Sequence, residues 1–104
     1  MKIACIGNMN NIIAPAAQYL SDLGHEVKLF LLHEYDHFTP LADYNRKEDI
    51  KFEIVKLDVN SNGVMNIPKS TLKNKLSAFD FYIGTDYAPA ILARINLRLD
   101  MFAW

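Results

Sequence analysis

A chain of 104 residues with a net charge of −1, 51% apolar residues and 22% charged residues has the size and composition of one small soluble domain with a packed core. The near-neutral charge leaves no basic footprint for nucleic acid or an anionic membrane surface, and a single cysteine excludes a disulfide framework. No apolar run approaches the ~18 residues of a membrane span, and Asn8, Asn10 and Asn11 interrupt any signal-peptide core, so a cytoplasmic, reducing location is expected for Cys5.

Lys2 to Ile6 is a short apolar run closed by Gly7, with the polar turn Asn8-Met9-Asn10-Asn11 after it. From about Ile12 to Leu23 apolar residues recur at helical spacing, placing Ile13, Ala16, Ala17, Leu20 and Leu23 on one face. Pro15 belongs in a first turn, and Gly24 suits the stop of a helix because it tolerates positive φ. Val27 to Leu32 then reads as a second buried strand, which completes a βαβ crossover. A dinucleotide fold would carry G-x-G-x-x-G in this first loop. Here Gly7 is followed by Met9 and Ile12 where the other two glycines belong.

His33 to Ile50 is the least regular stretch, with Thr39-Pro40 placed to open a short helix through Tyr44. Phe52 to Leu57 alternates apolar and charged residues, as a strand with one solvated face at a sheet edge does. Asn60-Ser61-Asn62-Gly63 has the composition of a turn. Pro68 starts a helix whose stripe is Leu72, Leu76 and Phe79, and Phe79 to Ile83 is a fourth strand ending at Gly84-Thr85-Asp86. Asp86 is placed to cap the next helix, with Pro89 in its first turn, Ile91, Leu92, Ile95 and Leu99 inward, and Arg94 and Arg98 on the solvated face. Met101 to Trp104 begins a fifth strand. Strands alternating with helices predict a three-layer α/β fold, an open, Rossmann-like parallel sheet of about five strands in order 3-2-1-4-5. The chain is expected to be the first part of a longer two-domain protein, since its last residues are apolar and strand-like; such an end also offers an edge for a homodimer.

His33-Glu34-Tyr35-Asp36-His37 matches the H-E-x-x-H zinc motif, which needs both histidines on one helical face. It follows directly on an apolar strand and meets Pro40 three residues later, so a polar loop is the better reading and no metal is expected. Glu34 or Asp36 has the position of a ribose-binding acid, but Met9 would crowd a pyrophosphate on the first loop. Asp58 invites comparison with response-regulator receivers, which fails because acidic residues after strand one and a lysine after strand five are lacking. What remains is the crevice where strands one and four diverge. Gly7, Asn8, Asn10 and Asn11 come from one side, Gly84, Thr85, Asp86 and Tyr87 from the other.

Three stretches carry a resemblance: Lys2-Ile3-Ala4-Cys5-Ile6-Gly7, Leu23-Gly24-His25-Glu26-Val27, and Asp80-Phe81-Tyr82-Ile83-Gly84 followed by Thr85-Asp86. They resemble the amino-terminal half of GT-B-fold glycosyltransferases, where G-H-E-V and D-hydrophobic-I-G-T-D elements are frequent. The resemblance implies that Asn8, Asn10, Asn11, Asp86 and Tyr87 line a cleft for a sugar or lipid-linked acceptor. It also implies that a nucleotide-sugar donor is held by a carboxy-terminal domain outside these residues. Many members carry a Gly-Gly pair in the first loop near the donor phosphates, where this chain has Asn-Met-Asn-Asn. The chain by itself is then expected to be inactive, with its catalytic residues unassigned and no cofactor of its own. A non-catalytic Rossmann-like binding module, or a fragment of an NAD(P)-dependent oxidoreductase or epimerase, are the alternatives.

Overall fold

The computed structural model describes residues 1–8, 13–31, 51–57, 67–85 and 87–102. Five strands, β1 (Lys2–Ile6), β2 (Glu26–Leu31), β3 (Glu53–Lys56), β4 (Phe81–Gly84) and β5 (Met101–Phe102), form one all-parallel sheet in the order β3-β2-β1-β4-β5. Helices α1 (Ala14–Asp22), α2 (Lys69–Leu76) and α3 (Ala88–Ala93) connect them. The fold is the Rossmann-like α/β arrangement expected from the alternation of strands and helices.

Strand pairing sorts the apolar residues into two cores. Ile3 is in register with Val27 and Phe81, and Cys5 with Leu29 and Ile83; these side chains share one face with Ile13, Ala14 and Ala17 of the α1 region. Ala4 and Ile6 point the other way, with Phe30 and Tyr82, under Leu72 and Leu76 of α2 and Ala88, Ile91 and Leu92 of α3. Both faces of β1 are therefore buried, as a central parallel strand requires. Phe79 stands edge-on to Phe30 at 5.7 Å and to Tyr82 at 6.0 Å, so three rings fill the second core. Burial pushes the Cys5 thiol up to about 12, which makes it a packing residue with no nucleophilic character.

Two aspartates fix the amino ends of the strands. The Lys2 N–H donates to Asp80 Oδ2 at 2.8 Å while the Asp80 N–H donates to the Lys2 carbonyl at 2.8 Å. Asp100 repeats the device on Tyr82, whose N–H donates to Asp100 Oδ2 at 2.8 Å and whose carbonyl accepts the Asp100 N–H at 2.8 Å. Each reciprocal pair extends the backbone ladder by one side chain and contributes on the order of 1 kcal/mol.

Helices α1 and α3 close in the same way. After α1, the Gly24 N–H donates to the Ser21 carbonyl and the His25 N–H to the Leu20 carbonyl, with Gly24 at φ 99°. After α3, the Asn96 N–H donates to Ala93 and the Leu97 N–H to Leu92, with Asn96 at φ 61°. This is the Schellman closure, which needs one residue in the left-handed region.

Several sequence expectations shift. The buried side of α1 is Ala14, Ala17, Gln18 and Ser21, whereas Ala16 and Leu23 are exposed. Ile54 of the edge strand β3 is 39% exposed, more than an inward-facing position would be. Phe79 precedes β4 instead of opening it, and Leu99 lies beyond α3, which stops at Ala93. Arg94, which ends α3 with right-handed helical backbone, is half-buried instead of solvated because it lines a cavity shared with Lys69 and Lys73 of α2, while Arg98 is exposed as expected. The short helix expected at Thr39–Tyr44 and the turn at Asn60–Gly63 lie outside the described residues.

The Tyr82 hydroxyl donates to the Leu76 carbonyl, taking up an acceptor that the end of α2 leaves open. Burial raises its pKa above the ordinary 10.0; the Phe79 backbone opposes that rise, and the Asp100 and Asp80 carboxylates add to it more weakly. The folded state thus holds this proton more tightly than the unfolded chain. The stability it contributes is complete below pH 10.0 and is lost as pH rises through the raised value. Tyr82→Phe should be less stable at pH 7 by about 1 kcal/mol and lose less stability than wild type on alkaline titration. Denaturant melts from pH 7 upward measure both; equal alkaline slopes would refute the assignment.

Candidate functional site

The strand order creates one switch point in the sheet. β1 leads to α1 on one face, while the neighbouring β4 leads to α3 on the other. The two chains part just past Ile6: the Gly7 N–H still donates to Phe30 at 2.8 Å, and the Thr85 N–H to Ile6 at 3.0 Å. Past these bonds the chain leads to α1 on one face and to α3 on the other, and the position between them at the carboxyl edge is the usual ligand position of open α/β sheets.

Gly7 turns the chain at φ 88°, a conformation in which a side chain would be strained. It delivers Asn8 into the interior, where the side chain is fully buried. Asn8 Oδ1 accepts the N–H groups of Ile13 at 3.0 Å and Ala14 at 2.9 Å. These amides belong to the entrance of α1, which otherwise has no side-chain cap. An anion bound at a helix amino end would use such donors. Here a neutral side-chain carbonyl already occupies them.

On the other side of the crevice, Gly84 is required by space. A Cβ there would meet the Ala88 Cβ at 2.4 Å, Leu99 Cδ2 at 3.0 Å and the Ile6 carbonyl oxygen at 3.2 Å. α3 consequently starts almost in contact with the strand end. Thr85 is buried, and its carbonyl accepts the Ala88 N–H at 3.1 Å. Tyr87 opens α3 and stays exposed, with its carbonyl accepting the Ile91 N–H at 3.0 Å.

Of the residues expected to bind ligand, the structure thus brings Asn8 and Tyr87 to the two connections that flank the switch point. Asn10, Asn11 and Asp86 lie outside the described residues, as does the His33–His37 segment. Asn8 enters as a structural residue of the loop and not as an open ligand contact. Its bond to amides five and six residues ahead is longer-ranged than ordinary N-cap spacing, so sequence position alone did not announce it. Among the described residues no group of three or more His, Cys, Asp or Glu is assembled to hold a metal, and no helix is long and apolar enough to cross a membrane. Comparison with protein-family models, with curated proteins and with solved structures finds no significant match to the chain. The chemistry of the crevice must therefore be argued from its own residues.

Two substitutions test this construction. Asn8→Ala strands the Ile13 and Ala14 amides in the interior and should destabilise the fold by about 2 kcal/mol, within the range for lost caps and orphaned buried donors; chemical denaturation at neutral pH gives the value, and a change under 0.5 kcal/mol (roughly the scatter of surface substitutions) would refute the role. Gly84→Ala should lower stability by about 1–3 kcal/mol through overpacking. It should also displace the amide resonances of Ile6, Ala88 and Leu99, whereas unperturbed resonances would mean that the close approach is absent in solution.

Proposed function

We propose that the chain is the acceptor-binding part of a glycosyltransferase. A sugar or lipid-linked acceptor would lie over the carboxyl ends of β1 and β4, and a nucleotide-sugar donor would be held by a second domain. The observation that carries this reading is Asn8. Its carbonyl takes the two α1 amides that a pyrophosphate would otherwise use, so the crevice suits a neutral hydroxyl-bearing ligand better than a dinucleotide. The resemblance of the Leu23–Val27 and Asp80–Asp86 elements to GT-B amino-terminal domains supplies the reaction class. Structure gives part of that second motif a scaffold role, since Asp80 secures β1 to β4. A cytoplasmic location belongs to the same proposal and agrees with a buried free thiol at Cys5.

The same observation weighs against the NAD(P)-dependent reading. Amide-resonance titration of the 104-residue chain separates the two. NAD+, NADP+ and nucleotide sugars should leave Gly7, Ile13 and Gly84 unmoved, while members of a panel of mono- and disaccharides and short polyprenols should shift Gly7, Gly84 and Tyr87 saturably. Micromolar NAD+ binding at Gly7 and Ile13 would overturn the proposal in favour of an oxidoreductase fragment. Sequencing the transcript past the Trp104 codon adds a direct check: a stop codon there removes the donor domain that the proposal requires.

A further inference from the structure

We propose that the cavity between the first turns of α2 and the end of α3 is a phosphoryl-binding site for a small phosphorylated sugar. It encloses about 280 Å³ and is lined by Lys69, Ser70, Lys73, Arg94, Ile95 and Asn96. Three cationic side chains therefore meet in one cavity, with no carboxylate among its described residues. Among the described residues, none of the three forms an ion pair. Arg94 is the informative one: its Nη1 is buried and has no hydrogen-bond partner. Buried polar atoms almost always have partners, and an orphaned guanidinium nitrogen is more costly than an orphaned neutral donor. An anion in the cavity would offset the charge of this half-buried guanidinium.

The charge and shape of the site choose the ligand class. A carboxylate brings one negative charge, whereas a phosphomonoester at neutral pH brings about 1.5 to 2 with three acceptor oxygens, a better match to three cations. Arginine offers a planar fork to two of those oxygens, and lysines add point charge. At roughly 30 Å³ per water, the volume equals that of about nine waters, enough for a phosphoryl group with a small remainder. A second, shallower cavity of about 540 Å³ shares Ser70 and Lys73 and continues past Thr71, Asn74 and Ser77. Hydroxyls and an amide along that extension suit the polyol part of a sugar. This site shares no residue with the β1/β4 crevice and does not depend on its function.

The test uses the 104-residue chain with inorganic phosphate, glucose 6-phosphate and glucose, followed by amide resonances and by thermal melts. Glucose 6-phosphate should shift Ser70, Lys73 and Asn96 saturably and raise the melting temperature with concentration, phosphate should do so more weakly, and glucose should not. Arg94→Gln and Lys73→Ala should each weaken glucose 6-phosphate at least tenfold, while Arg98→Gln, outside both cavities, should bind as wild type. Arg94→Lys keeps the stem and charge without the fork and should lose affinity several-fold, which covers the case in which Arg94→Gln fails to fold. Absence of saturable shifts at millimolar ligand, or wild-type affinity in both Lys73→Ala and Arg94→Lys, would overturn the site. Equal affinity for phosphate and glucose 6-phosphate would overturn the sugar remainder.

Discussion

The register of β1 is the constraint on which the remaining structure rests. From Ile3 to Ile6 every residue is paired on one side with β2 and on the other with β4, and every one of these side chains is buried. In a strand the side chains alternate between faces, so a slip of one position would exchange Ala4 and Ile6 with Ile3 and Cys5. That exchange would put the wrong volumes under α1 on one side and under α2 and α3 on the other. No exposed face is available to absorb the error. The small residues Ala4 and Cys5 are thus as informative as the large ones, since they decide how closely each layer of helices can sit.

On the β4 side of this centre the strands shorten, from four residues in β4 to two in β5, and short strands hold few ladder bonds. Asp80 and Asp100 compensate at the amino edge, each binding both the N–H and the carbonyl of a residue on the adjacent strand. Security at that edge leaves the carboxyl edge free to open. Gly7 and Thr85 supply the last cross-strand bonds there before the connections separate onto opposite faces. The division of labour is physical: one edge is closed by side-chain bonds, and the other is the edge at which open parallel sheets take their ligands.

Much of this frame can be read from the residues. Mostly apolar runs at Lys2–Ile6 and Val27–Leu31 report central strands, charged alternation around Ile54 reports an edge, and Pro15 and Gly24 report the two ends of α1. The phase of α1 is harder, because a nine-residue helix in an alanine-rich segment has more than one apolar stripe. Its rotation is set by Asn8 holding the first amides, a contact absent from any periodicity. Arg94 was equally concealed. Its position on a helical wheel is polar, and the wheel carries no information about the cavity it shares with Lys69 and Lys73 of α2. The candidate site is legible as a location and much less as chemistry, since Asn, Thr and Tyr serve turns and caps as readily as ligands.

Asn8 has a consequence for ligand choice over evolutionary time. A helix entrance satisfied from within keeps its order whether or not a ligand arrives, so these two amides pay no ordering cost on binding. It also makes discrimination against anions competitive: a phosphate seeking those amides must first displace a tethered carbonyl whose local concentration never falls. One codon therefore separates two ligand classes on an unchanged sheet. Replacing the asparagine with a residue lacking an acceptor would vacate the helix entrance, and what is now a self-satisfied turn would become the starting point for a phosphate site.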